Sequence, residues 1–263
     1  AMIVGPAMSG FLYAAAPWIA YATAAGLIAL GIILVSRIKL KIISDQPAKT
    51  EKPTLHSAME GLRFIKRTPI LLAAISLDLF AVLFGGAIAL LPVIAKDQLL
   101  VGDVAYGWLR AAAGIGAAST AALLAFKPIR RHVGRAMLIA VGVFGAGTIV
   151  LGLTHNYWVA FFAVMILSAG DMISVFVRGA IVPLVTPDDK RGRVSAVENV
   201  FIGATNELGA FESGAMSQAV GVPATVVGGG IATLGIVGIF WYKFKQLRNI
   251  DTFDELSTEK PTD

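Results

Sequence analysis

Apolar residues run along this chain in blocks of about 20, the length that carries a helix across a bilayer core, and polar residues gather between the blocks. The pattern predicts membrane-crossing helices near 17–36, 70–95, 104–126, 136–153, 158–183, 194–218 and 223–242. Residues 1–15 read as the outer end of another helix that begins before the sequence does, so the chain is expected to be a piece of a longer protein. The connections are short except for a polar, lysine-bearing linker at 37–69. Within it, "SAMEGLRFIKRTP" sets Met59, Leu62, Phe64 and Ile65 at helical spacing, which predicts a short amphipathic helix lying on the membrane. The expected fold class is an all-α membrane protein.

Composition strengthens this reading. With 56% hydrophobic and 15% charged residues, the chain has too little polar surface to cover a core in water. Glycine and alanine are abundant, as where helices pack closely in lipid. The net charge of +5 alone would allow nucleic acid as a partner, but its distribution argues against that. Nineteen of the 22 basic residues fall in 37–69, 127–135, 186–193 or the tail after 242, all on alternate connections. The other connections hold only Lys96. This asymmetry predicts a multi-pass protein of the cell (inner) membrane, its partner the lipid bilayer, with linker 37–69 and the C-terminal tail cytoplasmic. There is no cysteine, which excludes disulfides and thiolate metal sites, and His56, His132 and His155 lack metal-ligand spacing. Gly228–Gly230 follows no strand and precedes no Lys-Ser/Thr pair, so it is not a phosphate loop. No nucleophile–base–acid set is visible, so neither an enzyme nor a cofactor is expected.

The candidate chemistry lies in charged residues inside apolar spans, where each costs on the order of 3 kcal/mol unless it meets a partner or a water-filled cavity. Glu198 sits near the cytoplasmic end of its span, where the helix N-terminus and Arg191 or Arg193 would satisfy it. Glu207, beside Thr205 and Asn206 in mid-span, serves either an interhelical hydrogen bond or the handling of protons or substrate. Glu212 stands about 140° further round the helix, with the same two roles open. Asp78 has no local partner between its leucines and is expected to face a cavity; Gly85–Gly86 after it can bend the helix or admit a neighbour. Arg110 either pairs with an acid of another helix or attracts an anionic substrate group. Asp171, near Ser168 and Ser174, is mid-membrane, while Arg178, seven residues on, is expected to snorkel to water. Gly142, Gly145 and Gly147 read as a packing face.

Two stretches carry a family resemblance. "GPAMSGFLYAA" (5–15) is similar to the antiporter motif of the fifth helix in the major facilitator superfamily, through Gly5, Pro6, Ser9 and Gly10, with Ser9 in place of a motif glycine. "TPDDKRGRVSAVENVFIGATNELGAFESG" (186–214) resembles the loop and eleventh helix of that superfamily's bacterial drug and siderophore exporters, the branch similar to the enterobactin exporter. The resemblance implies that the chain runs from the end of helix 5 to helix 12. Residues 1–36 would close the N-terminal half, 37–69 link the halves, 70–243 form the C-terminal six-helix half and 244–263 the tail. It also implies a missing N-terminal half as partner, and a cytoplasmic gate at Arg131, Gly134 and Arg135 and at Arg191, Gly192, Arg193 and Glu198. "KPIRRHVGR" departs from the superfamily's loop motif in lacking the acid ahead of its arginines.

The implied function is a secondary active transporter that exports a small amphipathic or siderophore-like substrate in exchange for protons by alternating access. Asp78, Arg110, Asp171, Glu207 and Glu212 are the candidates for its substrate and proton pathway. The alternatives are an importer or lipid carrier of the same fold, and a membrane scaffold that does not transport.

Overall fold

The computed structural model describes residue 12, residues 16–37 and residues 55–256. The antiporter-like motif at 5–10 and most of the 37–69 linker lie outside the described residues. Among the described residues eight principal helices follow one another: α1 (Pro17–Ser36), α2 (Leu55–Arg67), α3 (Pro69–Phe84), α4 (Asp103–Phe126), α5 (Val133–Leu153), α6 (Tyr157–Val185), α7 (Asp188–Val220) and α8 (Val222–Lys243). Five of them, α1, α4, α5, α6 and α8, are long and apolar enough to cross a membrane. α7 carries more charge, but its 33 residues extend about 50 Å, more than a bilayer core. No strand occurs among the described residues. The chain is an all-α membrane protein.

Helix boundaries follow local chemistry. Between α2 and α3 the axis turns by 105°. Thr68 is extended, as the residue before a proline prefers, and Pro69 opens the new helix, where its missing N–H costs nothing. α2 therefore runs across the end of the bundle, as its amphipathic pattern predicts. Its Leu62, Phe64 and Ile65 pack on the protein core rather than on lipid alone. Asn156 caps α6 by accepting hydrogen bonds from the Trp158 and Val159 amides at 2.9 and 3.2 Å. Gly221, at φ +87°, makes the tight reversal between α7 and α8 that a side chain would strain.

The expected span 70–95 is not continuous. α3 stops at Phe84, and the chain passes through a 3₁₀ turn at Gly86–Ile88, a short helix at Leu91–Val93 and a π-helical turn at Ile94–Gln98. Two adjacent glycines weaken the helix here, and close packing holds the break. A Cβ on Gly86 would meet the Ser213 hydroxyl at 2.5 Å and the Gly209 carbonyl at 2.9 Å, both on α7. Gly85–Gly86 thus both bends the chain and admits a neighbour.

In the bundle, α5 packs against α6 and α8, α4 against α6, and α7 against α2, α3 and α8. Between helices in lipid the hydrophobic effect offers little, so close backbone approach and dispersion carry the packing. Gly145 lies against Gly230 and Thr233 of α8, and Gly147 against Leu167 of α6. Gly142 borders open space, so only two members of the expected glycine face pack. The core has two clusters. One gathers Leu77, Met137, Leu138, Ile181, Val194 and Leu247; the other gathers Leu91, Ile94, Leu109, Leu151, Val164 and Leu167.

The loop before α5 and the chain after α8 meet on one face. Val133 and Gly134 donate their amides to the Asp251 and Ile250 carbonyls at 3.2 Å each. Gln98 closes the opposite face, its Nε2 donating to the Gly152 and Thr154 carbonyls at 3.2 and 2.6 Å. The basic loop before α5 and the segment after α8 thus share one face.

Candidate functional site

Three helices bring acids and a cation together inside the bundle. α3 contributes Asp78, α6 contributes Asp171, Ser174 and Arg178, and α7 contributes Glu198. Arg178 Nη1 lies 3.0 Å from Asp78 Oδ2 and 3.6 Å from Glu198 Oε1. The Ser174 hydroxyl donates to Asp78 Oδ1 at 3.0 Å. Asp78 and Arg178 are both buried, with side chains 6% and 7% exposed. Helical spacing produces this set: residues 171, 174 and 178 are three and four apart, so they line one face of α6.

Two expectations change here. Arg178 does not snorkel to water. It lies about 10 Å inside the end of α6, where a buried carboxylate is nearer than solvent. Glu198 does not sit at its helix N-terminus, because α7 begins at Asp188, ten residues earlier, with Asp188 and Asp189 in the first turn. Its ion pair is to Arg178, while Arg191 pairs with Asp188 at 2.7 Å and Arg193 with Glu60 of α2 at 2.7 Å. Nor is Asp78 isolated; its partner comes from another helix.

One guanidinium thus faces carboxylates from two other helices, and Asp171 lies within electrostatic reach of both Asp78 and Arg178. Arg178 Nε and the Ser168 hydroxyl are buried and find no hydrogen-bond partner among the described residues.

A cavity of about 350 Å³ adjoins this set. Asp171, Arg110, Asn206, Phe144 and the Gly85–Gly86 break line it. It opens beside the break in the chain after α3. Arg110 also donates from Nη1 to the Tyr106 hydroxyl at 3.2 Å. The cavity therefore presents an acid, a guanidinium and an amide around an apolar floor, enough to orient a small amphipathic molecule. Of the expected pathway residues, Asp171 and Arg110 both line the cavity, and Asp78 lies in the adjoining ion cluster. Glu207 is exposed on α7 and Glu212 half-buried, and neither lines the cavity. Asn206 does so in their place.

On the basic face, the acid absent from "KPIRRHVGR" arrives from the tail. Asp251 accepts a hydrogen bond from the His132 amide at 3.0 Å and lies 3.5 Å from Arg131 Nε. That amide bond first, with the nearby His132 and Arg131 side chains, holds its carboxyl below the ordinary range against the opposing effect of desolvation. Gly134 lies against the Leu247 carbonyl and is buried, Arg135 is exposed, and Gly192 borders open space. The sequence holds no local signal for Asp251, which is distant from the loop along the chain.

A membrane-embedded helical bundle with ionisable groups beside an open cavity between its helices fits the architecture of a solute transporter. The family model of transmembrane secretion effectors, in the major facilitator superfamily, matches residues 1–262, and the chain belongs to that family. No curated protein matches the sequence.

Proposed function

We propose that this chain is the C-terminal portion of a secondary active exporter of the drug and siderophore branch. It would move a small amphipathic or siderophore-like compound out of the cell in exchange for protons. The observation that carries this reading is the Asp78–Arg178–Glu198 cluster, with its Asp78–Arg178 pair buried, and its continuation through Asp171 into the cavity that Arg110 shares. The family's description as secretion effectors supports a role in efflux. Carboxylates outnumber the guanidinium in this cluster, so it can take up a proton without leaving a buried cation unpaired.

In this reading the cluster joins α3, α6 and α7 in one state, and protonation of a carboxylate loosens that junction. Substrate in the cavity meets Asp171, Arg110 and Asn206. The exposed Glu207 and half-buried Glu212 would face the cleft toward a second six-helix half, which carries helices 1–4. The Gly5–Gly10 motif would belong to that half's seam. Arg131–Asp251 and Arg193–Glu60 would act as cytoplasmic clasps, with Gly134, Arg135 and Gly192 beside them. No enzymatic step and no cofactor enters the scheme.

The test is substrate-induced proton movement in inverted vesicles containing the full-length protein, compared with its Asp171→Asn and Glu207→Gln variants. Loss of coupling in Asp171→Asn at normal protein level supports the cluster as the coupling site. Coupling lost only in Glu207→Gln would move that site to the face of α7. Coupled movement in both variants would sink the proton-exchange reading of these acids. Uptake instead of efflux would point to an importer, and no transport in the parent to a scaffold.

A further inference from the structure

Two opposite charges line the cavity beside the break after α3, and the bundle leaves both without a counter-ion bound to them. Asp171 makes no hydrogen bond and no ion pair among the described residues. Its charged neighbours, Asp78 and Arg178, act on it through space, and Arg178 is already engaged by Asp78 at 3.0 Å. The carboxylate of Asp171 is not among the sealed, unpartnered atoms of the bundle, as Arg178 Nε and the Ser168 hydroxyl are. It therefore reaches open space, and the space that Asp171 lines is this cavity.

Arg110 enters from α4. Its Nη1 donates to the Tyr106 hydroxyl at 3.2 Å, a neutral partner one turn away on the same helix. No acid pairs with it among the described residues, so no ion pair joins it to Asp171 across the cavity. Asn206 of α7 adds an amide that can both donate and accept. Phe144, Val82 and Ile88 supply apolar wall.

The dimensions limit what can join the two charges. The volume of about 350 Å³ lies near the lower end of the roughly 300–1,000 Å³ range of ligand pockets, and a sphere of that volume is about 9 Å across. A charge-assisted hydrogen bond takes about 2.8 Å at each wall. The charged ends of an amino acid lie about 3 Å apart across one Cα. A molecule of that form reaches both walls of a space this wide.

From this geometry we infer that the cavity binds a compact zwitterion, an ammonium and a carboxylate a few bonds apart on an apolar body. The ammonium meets Asp171, the carboxylate meets the guanidinium fork of Arg110, and the apolar body rests on Phe144. A molecule with only one charge leaves the charge on the opposite wall unanswered, which costs affinity in surroundings poor in water. This deepens the reading of the cavity as the substrate site and rests on it.

Phenylalanine, phenethylamine and 3-phenylpropanoate share one ring and carry both charges, the cation alone and the anion alone. Isothermal titration of each into the purified full-length protein in detergent at pH 7, with protein-free micelles as the blank, reads the charge requirement. The expected result is saturable binding of phenylalanine, about tenfold tighter than that of either analogue. Arg110→Gln should lower phenylalanine to the affinity of phenethylamine and leave phenethylamine as in the parent. Asp171→Asn should lower it to the affinity of 3-phenylpropanoate and leave that anion as in the parent. The retained analogue shows in each case that the variant is folded. Equal affinity for all three compounds, or no saturable binding of phenylalanine, would overturn the proposal. So would an undiminished preference for phenylalanine in both variants. Proton coupling lost in Asp171→Asn while the parent binds no phenylalanine would remove this ligand class and keep the transport reading. The expected binding pattern with coupling intact in Asp171→Asn would keep the ligand class and remove that acid from proton exchange.

Discussion

Arg178 illustrates how a buried charge is tolerated in this protein. Its guanidinium faces Asp78 at 3.0 Å and Glu198 at 3.6 Å, and the Ser174 hydroxyl satisfies one more carboxylate oxygen. Removing one member of such a set leaves the others buried without compensation, which costs about 3–5 kcal/mol. Arg178→Met is therefore expected to destabilise the bundle by roughly 3 kcal/mol in micelle unfolding experiments. Adding Asp78→Asn should recover part of that loss, because it removes the carboxylate left unpaired. An equal or larger loss in the double variant would mean that Arg178 acts by packing instead. Asp251 behaves oppositely, since it is accessible to water. Its carboxyl is held below the ordinary range by the His132 amide and by the charges of His132 and Arg131. A depressed acid contributes stability that is complete above its unfolded value, about pH 4, and is lost as pH falls through the folded value. The tail should stay docked on the loop at neutral pH and release only in stronger acid. Limited proteolysis of the tail across pH would follow this, and Asp251→Asn should already show the faster cleavage at pH 7.

Helices were the most legible feature of the chain, and the reason is physical. A span of about 20 apolar residues is imposed by bilayer thickness, so blocks such as 104–126 and 223–242 announce themselves. They agree closely with α4 and α8. Charge does not stop a helix, which is why α7 starts in the loop sequence at Asp188, earlier than its apolar block. The break after Phe84 was legible only as a pair of glycines. What decides it is the contact of Gly86 with Ser213 and Gly209, which no periodicity records. The partnership of Asp78 with Arg178 was hidden for the same reason: neighbours across helices are set by packing, not by spacing along the chain. Close packing also makes a prediction. A Cβ on Gly116 would run into the Met165 carbonyl of α6, and backbone cannot yield as a side chain does. Gly116→Leu should push α4 from α6 and cost about 1–3 kcal/mol, readable as a lower unfolding temperature. Gly142 has no atom within 4 Å of its added Cβ. Gly142→Ala should be neutral or stabilising, by up to about 1 kcal/mol. Equal effects of the two changes would show that small residues do not set the α4–α6 approach.

Orientation in the membrane is a property of the assembled bundle, and here the fold and the charge pattern argue for the same one. The loop before α5 is bound by the segment after α8 through Asp251 and two backbone hydrogen bonds, so these connections lie on one side whatever that side is. α2 joins the same side, through the Glu60–Arg193 ion pair at 2.7 Å and through Lys190 over the Phe64 ring at 5.2 Å. The other end carries Gln98, the first turns of α4 and α6, and the aromatic residues Tyr157 and Trp158, which suit the bilayer interface. Nineteen of the 22 basic residues fall on the first set of connections, which should therefore be cytoplasmic. These 263 residues hold no cysteine, so a thiol introduced among them is the only one they offer to label, with the unsubstituted protein as the blank. Arg130→Cys and Glu255→Cys, both exposed, should react with a membrane-impermeant maleimide in inverted vesicles and not in intact cells. His155→Cys, exposed on the short turn before α6, should show the reverse pattern. Labelling of all three from one side would mean that α5 does not cross the bilayer, against its 21 apolar-rich residues. Complete reversal would leave the fold intact but invert the direction of transport proposed for it, since the Arg131–Asp251 and Arg193–Glu60 clasps would then close the outer mouth.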